Sequence, residues 1–477
     1  MTLAGHAVLD WFQCSHGRVS GTPFDPNQKR HKVTELNTKG KTLHGWDPEV
    51  PEQWDSRIAW RTLAITTFSL IIGFSVWYLV SAIAPLLNRI GFDLSAAQLY
   101  WLTAVPGLAG GILRLVFMFL PARIGTRNLV GFSSALFLIP MFGWFLAVQN
   151  ANTPYWWLLV LAAMTGIGGG CFSGYMPSTG WFFPKAKSGT ALGIQAGVGN
   201  LGVSVIQFLG PWVMGFGLLG IGFITPQRTV EGSEVFVHNA AIVLVPWAML
   251  ASVLAFLFLK DIPMKVNFRD QLNFFRNKNT WILSIVYMMT FGAFAGFAAQ
   301  FGLIINNHFG IASPMAEQFP AEALHAGATY AFLGPLISAL VRAGWGPLCD
   351  KFGGAVWTFV SGVGMIASTV AAAIFLSRAE TPDDFYPFLW SMLALFFFTG
   401  IGNAGTFKQM PMILPRKQAG GVIGWTGAIG AFGPFVVGVL LSMTPTVTFY
   451  WGCVVFFTIA TALTWIYYAR PNAPFPG

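Results

Sequence analysis

Twelve long stretches of mostly apolar residues follow one another along this chain of 477 residues. A helix needs about 20 apolar residues to cross the hydrocarbon core of a bilayer, and only helices or closed barrels satisfy the backbone polar groups there. The stretches cover residues 61–86, 97–121, 127–148, 154–183, 187–216, 236–259, 279–305, 323–348, 354–377, 384–409, 417–442 and 446–469. The chain is therefore predicted to be an all-α integral membrane protein with twelve transmembrane helices.

The composition excludes several other classes of protein. Charged residues make up 9% of the chain, whereas a soluble domain carries about 25%. The net charge of +9 comes from short basic tracts between apolar stretches, and not from one basic patch with interleaved aromatics, so no nucleic-acid partner is predicted. The four cysteines are scattered, so no disulfide, metal site or cofactor is predicted.

The basic residues indicate how the chain crosses the lipid bilayer. An even number of spans places both termini on one side, and 22 of the 27 Lys and Arg residues fall on that side against three on the other. Positive residues accumulate in cytoplasmic loops, so both termini are predicted to be cytoplasmic. The two remaining basic residues, Arg114 and Arg342, lie inside spans.

The chain also contains an internal repeat. The stretch "RLVFMFLPARIG" (114–125) aligns with "RAGWGPLCDKFG" (342–353) at an offset of 228, and "PKAKSGTALGIQAGVGNLG" (184–202) aligns with "PRKQAGGVIGWTGAIGAFG" (415–433) at an offset of 231. This pattern predicts two pseudosymmetric six-helix halves with a substrate site between them near mid-membrane. The predicted units are a cytoplasmic extension, mostly disordered (1–56), an N-terminal half (57–259), a cytoplasmic linker (260–278) and a C-terminal half (279–477).

The repeat makes Arg114 and Arg342 equivalent and predicts that they face each other across the site. An arginine near the bilayer centre costs about 2.5 to 3.5 kcal/mol on insertion scales. All 18 Asp and Glu residues fall in termini, loops or span ends, so no protein carboxylate can neutralise the pair at depth. A small anion held between two forked guanidinium groups would supply the missing charge. The alternative is that these arginines bond backbone carbonyls or reach toward an interface.

Glycine-rich segments recur in the fourth, fifth, tenth and eleventh spans. They are "TGIGGG" (165–170), "GIQAGVGNLG" (193–202), "TGIGNAG" (399–405) and "GWTGAIGAFG" (424–433). Close helix packing accounts for most of these glycines. A phosphate-binding loop is excluded, because no strand precedes them and no Gly-Lys-Ser/Thr follows.

With these arginines and glycine segments, the chain resembles the nitrate/nitrite porters of the major facilitator superfamily, the NarK type. The specific stretches are "FFPKAKSGTALGIQAGVGNLGVSVIQ" (182–207) and "TGIGNAGTF" (399–407), similar to the family's two nitrate signatures, together with the sequences around both arginines. The resemblance covers the chain from residue 45 to its C-terminus. It implies the major facilitator fold, a plasma-membrane location, a role in nitrate assimilation and a monomer that carries nitrate and nitrite.

The resemblance also implies further site residues. Arg114 and Arg342 would clamp the anion, Tyr287 would donate a hydroxyl, and Phe291 would form an aromatic wall. The rest of the lining would be Phe172 and the backbones of Gly197 and of Gly402 or Asn403. Three departures from the family pattern leave the preferred substrate and the coupling mode open: residues 171–184 lack a usual asparagine, Gln195 replaces an asparagine, and Lys408 lies in "FKQMP".

Two loops, "PARIGTRN" (121–128) and "CDKFGG" (349–354), resemble the superfamily's loop signature. Asp350 with the nearby basic residues Arg123 and Lys351 is predicted to form a gate at the cytoplasmic face. In the first half Ala122 replaces the aspartate, so the two gates are expected to differ in strength. Lys408 is interpreted as a solvated lysine rather than a gate residue.

The predicted function is nitrate/nitrite exchange by rocker-type alternating access. All seven histidines lie in termini, loops or span ends, so no buried proton carrier is visible, and two arginine charges about 7 Å apart repel by about 2.4 kcal/mol when no anion separates them. Only the loaded site would therefore reorient readily. Proton-coupled nitrate symport is the main alternative, followed by a non-transporting anion sensor and a carrier of organic anions. No catalytic constellation lies at depth, so the chain is not predicted to be an enzyme.

Overall fold

The computed structural model describes residues 36–217, 225–230, 232–263, 273–414 and 416–475, without the side chains of residues 411 and 416–420. Residues 1–35 of the predicted extension and 264–272 of the predicted linker lie outside the described residues. Twelve helical spans in the described ranges are long and apolar enough to cross a membrane. The predicted number of spans and the all-α class are confirmed.

Several spans are broken into two helices. The helices of the first half are Ser56–Trp77 and Leu79–Leu87 in span 1, Ala96–Phe117 in span 2, Leu120–Leu136 and Leu138–Ala147 in span 3, Tyr155–Gly180 in span 4, Lys185–Met214 in span 5, and Asn239–Ile242 and Val245–Phe258 in span 6. Strands Gln227–Arg228 and Glu234–Val235 pair between spans 5 and 6.

The second half follows the same plan. Its helices are Lys278–Tyr287, the π-helix Met288–Gly292 and Ala293–Phe309 in span 7, Gly327–Tyr330 and Leu333–Gly344 in span 8, Gly354–Ser377 in span 9, Phe385–Ile413 in span 10, Arg416–Ala431 and Gly433–Met443 in span 11, and Thr446–Thr464 with the π-helix Trp465–Ala469 in span 12. A short helix, Gly346–Phe352, connects spans 8 and 9.

Equivalent glycines in the two halves make equivalent backbone contacts. Gly202 of span 5 lies against the carbonyl oxygen of Ile71, and Gly433 of span 11 lies against that of Gly292; a Cβ at either glycine would overlap the oxygen. The chain likewise turns at Gly125 (φ 79°), a kink within Leu120–Leu136, and at Gly353 (φ 88°), just before span 9, a backbone conformation that favours glycine. The sequence repeat therefore corresponds to a repeat in three dimensions.

The chain before span 1 is folded where it is described. Leu43 is fully buried in an apolar cluster with Phe182 and Phe183, and the indole Nε1 groups of Trp46 and Trp54 donate to the carbonyls of Trp181 and Phe182 at 3.3 and 2.9 Å. The disorder expected of the first 56 residues is thus wrong for residues 36–55, because the buried Leu43 and the partly buried Trp46 and Trp54 fix this segment to the loop between spans 4 and 5.

The halves make close polar contact on the side of the membrane away from the termini, called here the opposite side. Spans 1, 2 and 5 each donate a hydrogen bond to span 7: Tyr78 Oη to Ala295 O at 2.9 Å, Thr103 Oγ1 to Gln300 Oε1 at 2.6 Å and Gln207 Nε2 to Ala298 O at 2.7 Å. These bonds hold the halves together at that end.

Toward the terminus side the halves separate. Gly189, Gly193 and Gly197 are four residues apart and share one face of span 5. Gly197 packs against Ala343 of span 8, whereas a Cβ at Gly193 or Gly189 would meet nothing within 4 Å. The space between spans 5 and 8 therefore widens toward the terminus side.

Candidate functional site

Arg114 is a fully buried side chain near the end of span 2. Its Nε donates to the carbonyl of Gly169 in span 4 at 2.9 Å, and its Nη1 donates to the carbonyl of Gly427 in span 11 at 2.6 Å. The second bond crosses from the first half to the other. Nη2 is buried without a hydrogen-bond partner in the described part of the chain, so carbonyl bonding, the alternative considered above, accounts for two of its three nitrogens.

Arg342 of span 8 is 5% exposed, and neither Nη1 nor Nη2 has a hydrogen-bond partner among the described residues. Its Cζ lies 5.8 Å from the centre of the Phe291 ring, and the Cζ of Arg114 lies 5.1 Å from the same centre. The two guanidinium carbons are thus at most about 11 Å apart, the sum of those distances. The structure thus places the guanidinium groups of Arg114 and Arg342, one from each half, near the same ring.

Aromatic rings surround both guanidinium groups. Phe172 and Trp77 lie 4.7 and 5.4 Å from the Cζ of Arg114, and Phe407 lies 5.3 Å from that of Arg342. The rings of Phe172 and Phe291 are 6.4 Å apart and inclined by 28°. Cation–π attraction stabilises each buried charge in part, but it leaves the N–H groups without acceptors.

Tyr287 lies on the same face of span 7 as Phe291, and the two rings stack at 5.2 Å with an interplanar angle of 6°. The Tyr287 hydroxyl is buried and unpartnered in the described residues. Phe291 belongs to the π-helix Met288–Gly292, a local irregularity that frequently marks functional sites.

The remaining predicted lining residues fall into two groups. Gly197 faces Ala343, the neighbour of Arg342, and Gly402 faces Thr290 and Ser361. Both glycines allow close helix approach behind the site. Asn403 is fully buried, and neither side-chain amide atom has a partner in the described chain, so its side chain offers more to a ligand than the backbone that was predicted.

Sequence reasoning missed four contributors to this arrangement: the carbonyls of Gly169 and Gly427 and the rings of Trp77 and Phe407. Phe407 ends the quoted segment "TGIGNAGTF", so the segment carried a signal for it. Carbonyl ligands follow from backbone geometry and carry no side-chain signal.

Gln195, one of the departures from the family pattern, is a fully buried side chain of span 5. Its Nε2 donates to the hydroxyls of Thr66 and Thr179 at 2.9 and 3.0 Å. All three side chains belong to the first half. The Oε1 of Gln195 is buried without a hydrogen-bond partner in the described part of the chain.

The charged loops on the terminus side differ from the predicted gate. Asp350 forms an ion pair with Lys408 of span 10, and their side chains are 62% and 44% exposed. Arg123 is exposed, and Lys351 lies over the ring of Phe352 at 5.1 Å. Lys408 is exposed to solvent as interpreted, and it is also the described partner of Asp350.

The first half obtains its loop carboxylate from elsewhere in the chain. The Asp261 side chain, at the start of the linker, accepts a hydrogen bond from the backbone N–H of Arg127 at 2.8 Å, beside Gly125. Partial burial raises the pKa of Asp261, although Arg127 opposes this shift. Ala122 thus provides no carboxylate, but Asp261 supplies one to this loop.

Residues 63–436 match the family model described as Major Facilitator Superfamily. The chain is 48% identical over 449 residues to the probable nitrate/nitrite antiporter NarK2 of Thermus thermophilus, covering 92% of this chain and 99% of that protein. It is 34% identical to the nitrate/nitrite transporter NarU of Escherichia coli (strain K12) over 462 residues, covering 90% and 96% of the two chains.

A solved structure has the same fold. It is a bacterial homolog of the human lysosomal transporter Spinster in an inward-facing and unoccupied conformation, with a TM-score of 0.61 and 17% identity. The match covers 86% of this chain and 97% of that one. At this identity the likeness concerns the fold alone, and it agrees with two six-helix halves of the major facilitator type.

Proposed function

Because this chain belongs to the nitrate/nitrite porter family of the major facilitator superfamily, we propose that it exchanges nitrate and nitrite across the plasma membrane by alternating access. The chain is a multi-pass transporter and not an enzyme. We propose further that the transporter serves nitrate assimilation and acts as a monomer. Both of its termini would lie in the cytoplasm, on the side where basic residues accumulate.

One observation carries the proposal. Four donor groups from both halves, Arg114 Nη2, Arg342 Nη1 and Nη2, and Tyr287 Oη, are buried without acceptors in the described chain. A buried unpaired donor is costly, and a charged one more so. A small anion between the arginines would satisfy these donors and neutralise one of the two charges.

The aromatic walls support a flat ligand. A planar anion between two rings needs about 7 Å between them, since each face-to-face contact takes about 3.5 Å. The rings of Phe172 and Phe291 are already 6.4 Å apart. Nitrate and nitrite fit such a slot with slight widening, whereas an organic phosphate would require much larger displacement of the rings.

The conformation supports alternating access. The halves are bonded on the opposite side and separated on the terminus side, so the substrate path of this conformation leads to the terminus side. With the termini in the cytoplasm, this is a cytoplasm-facing state. Reorientation would break the bonds to span 7 and bring Gly193 and Gly189 toward the other half.

Exchange is preferred to symport because of the empty site. At a separation of at most about 11 Å the two arginine charges repel by about 1.5 kcal/mol or more at an effective dielectric near 20. The bond from Arg114 to Gly427 also ties the halves together at the site. An anion that competes for the Arg114 guanidinium would weaken this tie, so the loaded carrier would reorient faster than the empty one.

Uptake into proteoliposomes tests the proposal. Vesicles are preloaded with nitrite or with an inert salt, each with and without an inward proton gradient, and nitrate uptake is followed. Exchange predicts uptake that depends on internal nitrite and ignores the pH gradient. Uptake into nitrite-free vesicles driven by protons would identify a symporter instead, and binding without flux would indicate a sensor.

A further inference from the structure

Ser173 is a buried serine of span 4, and its hydroxyl differs in hydrogen bonding from the hydroxyls of Thr165 and Ser178 on the same helix. The residue is 4% exposed and directly follows Phe172, whose ring covers Arg114. On the same helix Thr165 donates to the carbonyl of Ala162 at 2.7 Å and Ser178 donates to that of Tyr175 at 3.0 Å. The Ser173 hydroxyl makes no hydrogen bond within the described part of the chain.

A hydrogen bond made by Arg114 explains why the Ser173 hydroxyl has no backbone acceptor in the described chain. A serine inside a helix commonly donates to the carbonyl four residues earlier, which for Ser173 is Gly169. That carbonyl accepts the Nε of Arg114 at 2.9 Å. A carbonyl oxygen has two lone pairs, and the helical backbone N–H takes the other. Arg114 therefore occupies the acceptor that Ser173 would otherwise use.

The free hydroxyl lies beside the proposed anion site. A Cβ at Gly427 would be 3.9 Å from the Ser173 Oγ and 3.9 Å from the Arg114 Nη1. The hydroxyl and the guanidinium thus border the same small space next to span 11. Gly427 adds no side chain there, so this space is open to a ligand bound by Arg114.

We propose that Ser173 is a specificity-determining residue that donates a hydrogen bond to an oxygen of the bound oxyanion and favours nitrate over nitrite. The inference rests on the proposed function. Four donors then surround the anion: Arg114, Arg342, Tyr287 and Ser173. The charged arginines bind oxygen more strongly than a neutral hydroxyl does, so they take up the two oxygens of nitrite, whereas the third oxygen of nitrate remains for the neutral hydroxyls, Ser173 among them.

Binding of nitrate and nitrite to the purified full-length protein tests the inference. Ser173→Ala should raise the Kd of nitrate about ten-fold, the effect of one hydrogen bond to a charged group, and that of nitrite less than about three-fold. The matched control is Ser178→Ala, which removes a buried hydroxyl of the same helix that is bonded to its own backbone. This control should bind both anions like the wild type.

A double variant separates a lost hydroxyl from a general disturbance. A side chain at residue 427 would meet its neighbours at ordinary contact distance, so Ser173→Ala combined with Gly427→Ser returns a hydroxyl to the same space. Recovery of nitrate affinity in the double variant would support the inference. Equal nitrate affinity in Ser173→Ala and the wild type would overturn it while leaving the proposed function intact. A wild type that binds neither anion would overturn both.

Discussion

The two halves present equivalent arginines in different ways. Arg114 of the first half is anchored by the carbonyls of Gly169 and Gly427, whereas both Nη groups of Arg342 are without partners in the described chain. A repeated sequence has thus produced one fixed guanidinium and one that is free to follow a ligand. The lesson is that equivalent residues in a pseudosymmetric transporter need not share one role: under the proposed function, Arg114 would orient the anion and Arg342 would close on it.

Replacing each arginine by lysine should give the largest effect. Both Arg114→Lys and Arg342→Lys are expected to lower nitrate uptake about 100-fold or more, because lysine cannot offer two parallel donors to an oxyanion. Only Arg114→Lys should also lower the melting temperature by a few degrees, since it leaves buried carbonyls with a poorer donor. Equal melting temperatures in the two variants would contradict the division into a fixed and a free arginine.

The equivalent glycines test whether the backbone frame is symmetric where the arginines are not. Gly202→Ala and Gly433→Ala each place a methyl group against a carbonyl oxygen, and overpacking of this kind costs about 1 to 3 kcal/mol. Similar losses of thermal stability are expected for both. Gly189→Ala, whose Cβ has open space, is the control and should melt like the wild type.

Removal of the Tyr287 hydroxyl, which is unpaired among the described residues, should weaken nitrate binding and leave the stability of the fold unchanged. Tyr287→Phe is expected to weaken nitrate binding about ten-fold, because a hydroxyl bonded to an anion is lost, with no change in melting temperature. Tyr450→Phe serves as control: Tyr450 is equally buried in the same half, but its hydroxyl donates to the Met392 sulfur at 3.2 Å. A weaker nitrate affinity in both variants would argue against a direct contact by Tyr287.

The smallest effect concerns the loop carboxylates of the two halves. Asp261→Ala removes an acceptor of a helix-starting N–H and should cost about 1 kcal/mol of stability. Asp350→Ala breaks an exposed ion pair and should cost less than about 1 kcal/mol, with a difference that shrinks further in high salt. Chemical or thermal denaturation at two salt concentrations measures both. A larger cost for Asp350→Ala would reverse the comparison.

The sequence predicted the fold well because the signals for it can be recognised from the order of residue types along the chain. Twelve apolar stretches and a repeat at offsets of 228 and 231 require no knowledge of side-chain contacts, and both are present in the structure. Arg114 and Arg342 could be chosen from charge alone, since no carboxylate shares their depth.

The finer contacts were not available to the same reasoning. The bond from Arg114 to the Gly427 carbonyl depends on how close span 11 comes to span 2, and the pairing of Asp350 with Lys408 depends on the direction of span 10. Residues 36–55 were expected to be disordered because they are polar in composition. Leu43, Trp46 and Trp54 nevertheless pack this segment against the loop between spans 4 and 5.

Nitrate-dependent stabilisation of the purified protein tests the central claim most directly, namely that the anion is the missing counter-ion of both arginines. A ligand at 100 times its Kd stabilises the folded state by about 2.7 kcal/mol, so the wild type should melt at a higher temperature as nitrate is added and should not respond to sulfate. Arg114→Gln and Arg342→Gln should each lose this response. If either variant kept the full nitrate-dependent rise, one arginine would not contact the anion and the two-arginine clamp would be wrong.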